Sequence, residues 1–361
     1  MRRHGGFVFF SIPRGLDGRI SFRMKIAVLG LGFMGSTHLK AWRQIPGAQL
    51  VAVASNDKRR LSGDLTGVQG NIGGPGEQLD FSGVAKYTRA EDAVRDPDVE
   101  AVDICLPTNL HERIAVVALR SGKHVLVEKP MALDGAAADR MVDEALRHGR
   151  TLMAAQVVRF IPPYRTAAEI VRSGRLGQVR SAIFNRRCAA PAWSTWLADP
   201  AQSGGGVFDL LIHDIDFCMH MFGKPEAVSA SGYEDLARGV DWILAQFWYP
   251  SIGAVAIAGG WHHPAAYPFS MEFTIVADGG TLAFDSAGTP LAEYGADGQQ
   301  HPLDVPDADG YRAELEYFMD CAVHGQKPAA CPPEESAAAV KLALLMLESR
   351  GRNGEKIACN F

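Results

Sequence analysis

The chain has no apolar run approaching the roughly 20 residues that a membrane-spanning helix requires. It has no basic excess: 36 Lys and Arg stand against 41 Asp and Glu, a formal net charge of −5. Nucleic-acid binders carry a concentrated basic face. Neither nucleic acid nor a membrane is therefore an expected partner. Paired cysteines are also missing. Cys105, Cys188, Cys218, Cys321, Cys331 and Cys359 form no C-x-x-C pair and no zinc-type Cys/His spacing. Scattered thiols of this kind fit a reducing compartment, so the expected location is cytoplasmic. Internal repeats and low-complexity segments are absent as well.

What is present is an ordinary globular composition: 361 residues, 47% hydrophobic and 21% charged. At roughly 150 residues per domain, two domains are expected. Residues 1–23 stand apart. Met1-Arg2-Arg3 precedes an apolar Phe7–Ile12 stretch that is too short for a secretory signal. They are read as a disordered extension, or as upstream of a start at Met24.

From Lys25 the pattern alternates. Strands are expected at Ile26–Gly30, Leu50–Ala54, Val99–Leu106, His124–Val127 and Thr151–Val157, with helices at Met34–Ile45, His111–Ser121 and Asp134–His148. Such alternation predicts βαβ units and a doubly wound parallel sheet, an α/β domain assigned to residues 24–150. Between Leu61 and Gly83 the periodicity fails and Gly70, Gly73, Gly74 and Gly76 crowd together, which reads as a surface loop. Beyond residue 150 the texture changes to successive extended runs at Val179–Arg186, Trp242–Tyr249, Ala254–Trp261, Phe269–Ala277 and Gly280–Phe284. Asp278-Gly279-Gly280 is a hairpin signal between the last two. Residues 151–361 are therefore expected to form an α+β domain with a mainly antiparallel open sheet. Helices at Tyr164–Ser173, Gly204–Met221, Tyr311–His324 and Glu334–Ser349 complete it, the last read as strongly amphipathic.

Gly30-Leu31-Gly32-Phe33-Met34-Gly35 matches G-x-G-x-x-G, directly after the first strand and at the opening of the first helix. In that context Gly30 permits a tight turn, Gly32 lets a pyrophosphate approach the backbone, and Gly35 allows close helix–strand packing. The helix N-terminus, with Phe33 and Met34, then faces the phosphates. A βα turn without ligand is the plain alternative. After the second strand the chain reads Ser55-Asn56-Asp57-Lys58-Arg59-Arg60. Neutral hydrogen-bonding groups followed by basic residues suit a 2′-phosphate, so NADP is favoured over NAD, with Ser55, Asn56 and Arg59 as contacts. Asp57 would reach a ribose hydroxyl if the register shifted.

Two further segments carry chemistry. Lys129, in Glu128-Lys129-Pro130, follows a parallel strand and so points into the ligand crevice. Asp209 and His213 stand at i and i+4, where a carboxylate would orient an imidazole and raise its basicity. Taken singly, Lys129 also reads as a surface lysine and His213 as a half-buried histidine. Asp209, His213, Asp216 and His220 fall on one helical stripe, which opens a metal-site alternative. The preferred reading has no metal.

Taken in order, these segments resemble the Gfo/Idh/MocA family of oxidoreductases. The resemblance rests on Gly30–Gly35, Cys105-Leu106-Pro107-Thr108-Asn109-Leu110-His111, Glu128-Lys129-Pro130, Arg159-Phe160, Asp209/His213 and Glu314-Leu315-x-x-Phe318. It spans residues 24 to 359. It implies that Lys129 contacts the reacting hydroxyl and the nicotinamide, that His213 exchanges the hydroxyl proton, and that Asp209 orients His213 or binds substrate. It further implies cofactor contacts at Leu106, Pro107, Asn109 and Glu128, substrate contacts at His111 and Arg159, and a cis Lys129–Pro130 bond. Ala155-Gln156-Val157-Val158 departs from the family's usual Gly-His-Asn type of segment. The implied activity is NAD(P)-dependent hydride transfer at a carbinol carbon of a sugar, cyclitol or related polyol. The alternatives are a non-catalytic sugar sensor and an NAD-dependent redox glycosidase. Trp193, Trp196, Trp261 and Tyr267 would border the cleft, where their faces suit a pyranose ring or ordinary core packing. Open sheets of this kind pair with a partner, so a homodimer or homotetramer is expected.

Overall fold

The computed structural model describes residues 23–70, 76–192 and 194–361. Residues 1–22, Gly73, Gly74 and Trp193 therefore lie outside the described residues.

The first sheet follows from short apolar runs. Its elements are β1 (Met24–Leu29), α1 (Phe33–Trp42), β2 (Ala48–Ala54), α2 (Lys58–Leu61), β3 (Ala85–Tyr87) and α3 (Ala90–Arg95), then β4 (Ala101–Ile104), α4 (His111–Arg120), β5 (His124–Glu128), α5 (Gly135–His148) and β6 (Leu152–Ala155). Among the described residues six parallel strands order as β3-β2-β1-β4-β5-β6. Helices cover both faces, so β4 and β6 are buried at every residue, as continuous apolar runs in a parallel sheet require. Asp134 caps α5 by accepting from the Ala137 N–H. A division at residue 150 would cut β6 from the sheet to which it is hydrogen-bonded; the sheet ends after Ala155.

The second unit comprises α6 (Pro162–Ser173), β7 (Val179–Cys188), α7 (Pro200–Ser203), α8 (Ile212–Phe222), β8 (Ala227–Asp235), β9 (Val240–Trp248) and β10 (Ala254–Trp261). It continues with β11 (Ser270–Ala277), β12 (Gly280–Asp285), β13 (Thr289–Gly295), β14 (Gln300–Pro302), α9 (Gly310–His324), α10 (Pro333–Gly351) and β15 (Ile357–Ala358). Nine described strands order as β14-β13-β12-β11-β7-β10-β9-β8-β15, antiparallel except for the central β10–β7 pair. The Asp278-Gly279 turn joins β11 to β12, with Ala277 facing Gly280. One face is packed by Tyr164, Phe184, Phe217 and Phe273, whose rings meet mostly edge to face. The other face leaves Ile183 and Leu244 almost half exposed.

The two helices after the sheet return to the first unit. Helix α9 packs on α1, while α10 lies between α5 on one side and α8 and β8 on the other. Ser336, Ala337, Ala339, Val340, Leu342, Ala343, Met346 and Ser349 of α10 are all buried. The expected amphipathic helix is thus a wedge buried on several sides, because it has a neighbour on each.

Candidate active site

Gly30 has φ +97°, and a Cβ there would stand 2.3 Å from the Cys105 carbonyl oxygen. A Cβ on Gly35 would stand 1.9 Å from the Gly30 carbonyl oxygen, while Gly32 is open on that side. Each glycine thus does what its place in the motif requires: a left-handed turn, a bare backbone surface, and close packing of α1 on β1. A cleft of about 1000 Å³ opens there and runs to Lys129, Asp209, His213 and Trp196, lined by both units.

At the β2 end Ser55 and Asn56 line the cleft. Asp57 is committed elsewhere. Its Oδ1 accepts from the Arg59 N–H at 2.8 Å and caps α2, and its Oδ2 lies 3.3 Å from Arg60 Nε. Arg59 turns outward, donating to Asp64 Oδ2 through Nε (3.2 Å) and Nη2 (2.7 Å). Arg60 lines the cleft instead, with Nη1 3.9 Å from the Cβ position of Gly32. The expected basic contact therefore moves by one residue, because a capped helical turn separates successive side chains by about 100°.

Leu106, Pro107 and Thr108 line the cleft, whereas Asn109 is exposed and is not part of the lining. His111 does not face substrate. It is 1% exposed, with Nδ1 2.9 Å from the Pro130 carbonyl and Nε2 2.8 Å from the Leu106 carbonyl. It ties the loop after β4 to the loop after β5. Arg159 is also structural. Its guanidinium donates to both Asp216 oxygens at 2.7 Å, to Glu335 at 2.7 Å and to the Ala330 carbonyl at 3.1 Å. Asp216 and His220 are thereby occupied by Arg159, so the metal stripe is split. Trp261 is core at 2% exposure, and Tyr267 stacks on His263 with ring centroids 4.1 Å apart; Trp196 does line the cleft.

Lys129 stands at the end of β5 with a cis bond to Pro130. Its Nζ donates to the Asp209 carbonyl at 2.7 Å and to Asp209 Oδ1 at 3.2 Å. Asp209 lies in a π turn, Val207–Leu211, immediately before α8. That wider turn breaks the i, i+4 alignment on which an Asp209–His213 contact depended. Asp209 pairs with Lys129, and His213 Nδ1 is buried without a hydrogen-bond partner. Burial, then the cations Lys129 and Arg186, hold the imidazole well below its usual pKa, opposite to the expected rise. His213 is consequently neutral and able to accept a proton across the whole physiological range. In the oxidative direction kcat is expected to stay level as pH falls through 6.5 and to decline only below it. A decline centred at or above pH 6.5 would contradict that environment.

Arg186 of β7, another lining residue, donates to Asp214 at 2.7 and 3.0 Å in the interior. Beneath the glycine turn lies a buried polar cluster that sequence reading missed. His38 Nδ1 is 3.0 Å from Asp103 Oδ2, and its Nε2 is 3.1 Å from Glu128 Oε1. Trp42 Nε1 donates to Asp103 at 2.7 Å, and the Lys129 N–H donates to Glu128 Oε2 at 3.0 Å. Burial opposes a charge on His38, but the Asp103 carboxylate outweighs it and raises the imidazole well above its usual pKa. The His38 ring thus lies between the Asp103 and Glu128 carboxylates, and Glu128 holds the backbone N–H of Lys129. The only hints in the sequence are an Asp inside an apolar strand and a His one helical turn past Gly35. His38, Asp103 and Cys105 form the one potential metal-binding group among the described residues, and they are already bonded to one another.

A glycine turn and helix N-terminus, facing a lysine and a neutral histidine across a two-domain cleft, define a Rossmann-type oxidoreductase. Residues 24–156 match the family model described as "Oxidoreductase family, NAD-binding Rossmann fold", and residues 164–283 match the "GFO/IDH/MocA C-terminal domain". The chain belongs to the Gfo/Idh/MocA family. It is 27% identical over 338 residues to myo-inositol 2-dehydrogenase of Thermotoga maritima, covering 90% of this chain and 94% of that one. It is 28% identical over 330 residues to D-xylose 1-dehydrogenase (NADP(+)) 2 of Haloferax volcanii, covering 90% and 97%. The solved structure of levoglucosan dehydrogenase in complex with NADH and levoglucosan shares the fold, at a TM-score of 0.80 and 18% identity over 94% and 100% of the two chains.

Proposed function

We propose that the chain transfers hydride between a nicotinamide cofactor and a carbinol or carbonyl carbon of a sugar, cyclitol or related polyol. The observation that carries this reading is the meeting of Lys129, Asp209 and His213 in the cleft that begins at Gly30–Gly35. The names of the inositol and xylose dehydrogenase relatives support it. The cofactor, when bound, accepts or supplies the hydride. In the oxidative direction His213 takes the hydroxyl proton, and the Lys129 ammonium stabilises the developing alkoxide. Asp209 holds that ammonium in place.

NADP is the favoured cofactor. Ser55, Asn56 and Arg60 line the end where a 2′-phosphate would lie, and Asp57 is engaged in capping. The open face of the second sheet, with Ile183 and Leu244 exposed, supports a homodimer or homotetramer. Six free thiols support a reducing, cytoplasmic setting. Absorbance at 340 nm with NADP or NAD and a panel of polyols and aldoses tests the activity. Arg60→Ala is expected to lower the NADP/NAD ratio of kcat/KM by about 10–100-fold, the worth of one charge-assisted phosphate contact. An unchanged ratio would remove Arg60 from that role.

A further inference from the structure

The π turn that carries Asp209 is entered through Gly204-Gly205-Gly206, and Gly206 at its N-terminus has no side chain with which to cap it. What holds the turn comes from the second sheet. Asp241 of β9 is 1% exposed, and its Oδ2 accepts from the Val207 N–H at 3.1 Å. A Cβ on Gly205 would stand 2.8 Å from that same oxygen, and one on Gly206 would stand 3.0 Å from the Trp261 ring. The glycines thus let the backbone close on a carboxylate and an indole that side chains would hold off. The other carboxylate oxygen, Oδ1, accepts from Arg350 Nη1 at 2.6 Å, at the C-terminal end of α10. Arg350 also reaches Glu234 of β8. Beside it, Ser349 Oγ accepts from the Ala230 N–H at 2.7 Å and ties that end of α10 to β8.

The path from this anchor to the chemistry is short. Asp209 follows Val207 by two residues, and Lys129 Nζ lies closer to its backbone carbonyl, at 2.7 Å, than to its carboxylate, at 3.2 Å. His213 follows in the same helical run. A displaced turn would therefore carry off the partner of the ammonium and the imidazole together. Rotation of a side chain restores neither, because the Asp209 carbonyl moves with the backbone.

We propose, on the basis of the hydride-transfer reading above, that Asp241 is a positioning residue for the reaction. Its bond to the Val207 N–H fixes the π turn, and Arg350 holds the carboxylate in place. Neither residue lines the cleft. A misplacement of about 1 Å costs about 100-fold in rate, so the effect falls on kcat and leaves cofactor binding alone.

Two double variants of the full chain test this. Asp241→Asn/Arg350→Met and Asp241→Leu/Arg350→Met both remove the ion pair and leave no unpaired charge between these two positions. Asparagine still offers an oxygen to the Val207 N–H. Leucine keeps the branched skeleton and offers none. The leucine variant is expected to lose about 10–100-fold in kcat, with cofactor affinity within a few-fold, while the asparagine variant stays within about threefold of the wild type. Amide hydrogen exchange over residues 204–213 is expected to quicken in the leucine variant alone. Equal kcat in the two variants, whether low or near that of the wild type, would overturn the positioning role. Should the leucine variant fail to fold, Arg350→Gln replaces it. A several-fold loss of kcat with faster exchange in that segment is then expected, and no change in either would overturn the proposal. A wild-type chain that turns over no alcohol with either cofactor would overturn the hydride-transfer reading, whereas the exchange comparison would still decide whether Asp241 holds the turn.

Discussion

Methionine in place of Lys129 is expected to lower kcat by about two to three orders of magnitude while cofactor affinity stays within a few-fold. Methionine keeps the length of the side chain and removes its charge. What is lost is the ammonium proposed to stabilise the developing alkoxide, and a preorganised donor of this kind is worth about 10²–10³ in rate. The folded state has little reason to fail, since the Lys129 side chain spans the cleft to Asp209 and is not part of either core. Steady-state rates, with cofactor binding followed by fluorescence, separate the two effects. His213→Ala is expected to act alike, by the 10²–10⁴ typical of a general base. Turnover within a few-fold of wild type in the lysine variant would remove Lys129 from the chemistry.

Arg159→Met is expected to have the opposite profile. Removing one partner from a buried, bidentate ion pair costs about 3–5 kcal/mol, because Asp216 is left charged in the interior. For a chain of this size the melting temperature should fall by about 4–7 °C. Below that temperature kcat and KM should change little, since Arg159 reaches Asp216, Glu335 and the Ala330 carbonyl and not the cleft. A raised KM with unchanged melting temperature would instead restore the substrate contact that the sequence pattern implied.

Those two residues mark the limit of what the sequence makes legible. Where function depends on backbone, the pattern was sufficient. Gly30 and Gly35 stand where a Cβ would meet a carbonyl oxygen, and such a constraint leaves a glycine at a fixed offset from a strand. The inner strands were visible because burial on both faces demands unbroken apolar runs. Where function depends on which way a polar side chain turns, the pattern was silent. Arg159 and His111 belong to recognisable segments, but only packing reveals that their partners are Asp216 and two backbone carbonyls. Arg59 and Arg60 differ by one helical step, set by the Asp57 cap. The π turn at Val207–Leu211 has no sequence signature, yet it decides that Asp209 meets Lys129 and not His213. Short elements also escaped: β3, α3, β8 and β13–β15 are short, partly exposed or at sheet edges, where neither length nor periodicity announces a strand.

The wedge formed by α10 has a bearing on how the molecule is made. Ribosomal synthesis proceeds from the N-terminus, so the nucleotide-binding sheet emerges early and α9 and α10 only after the whole second sheet. Until they arrive, the outer surface of α5 and the flank of α1 lack the neighbours that bury them. The first unit is therefore sequential in the chain but not autonomous, and its completion waits on the helices that follow the second. A nascent chain paused between the two would present apolar helix faces to solvent, a natural point for chaperone engagement. Insertions, truncations and domain exchanges that treat the two units as separable modules would have to carry α9 and α10 with the first of them.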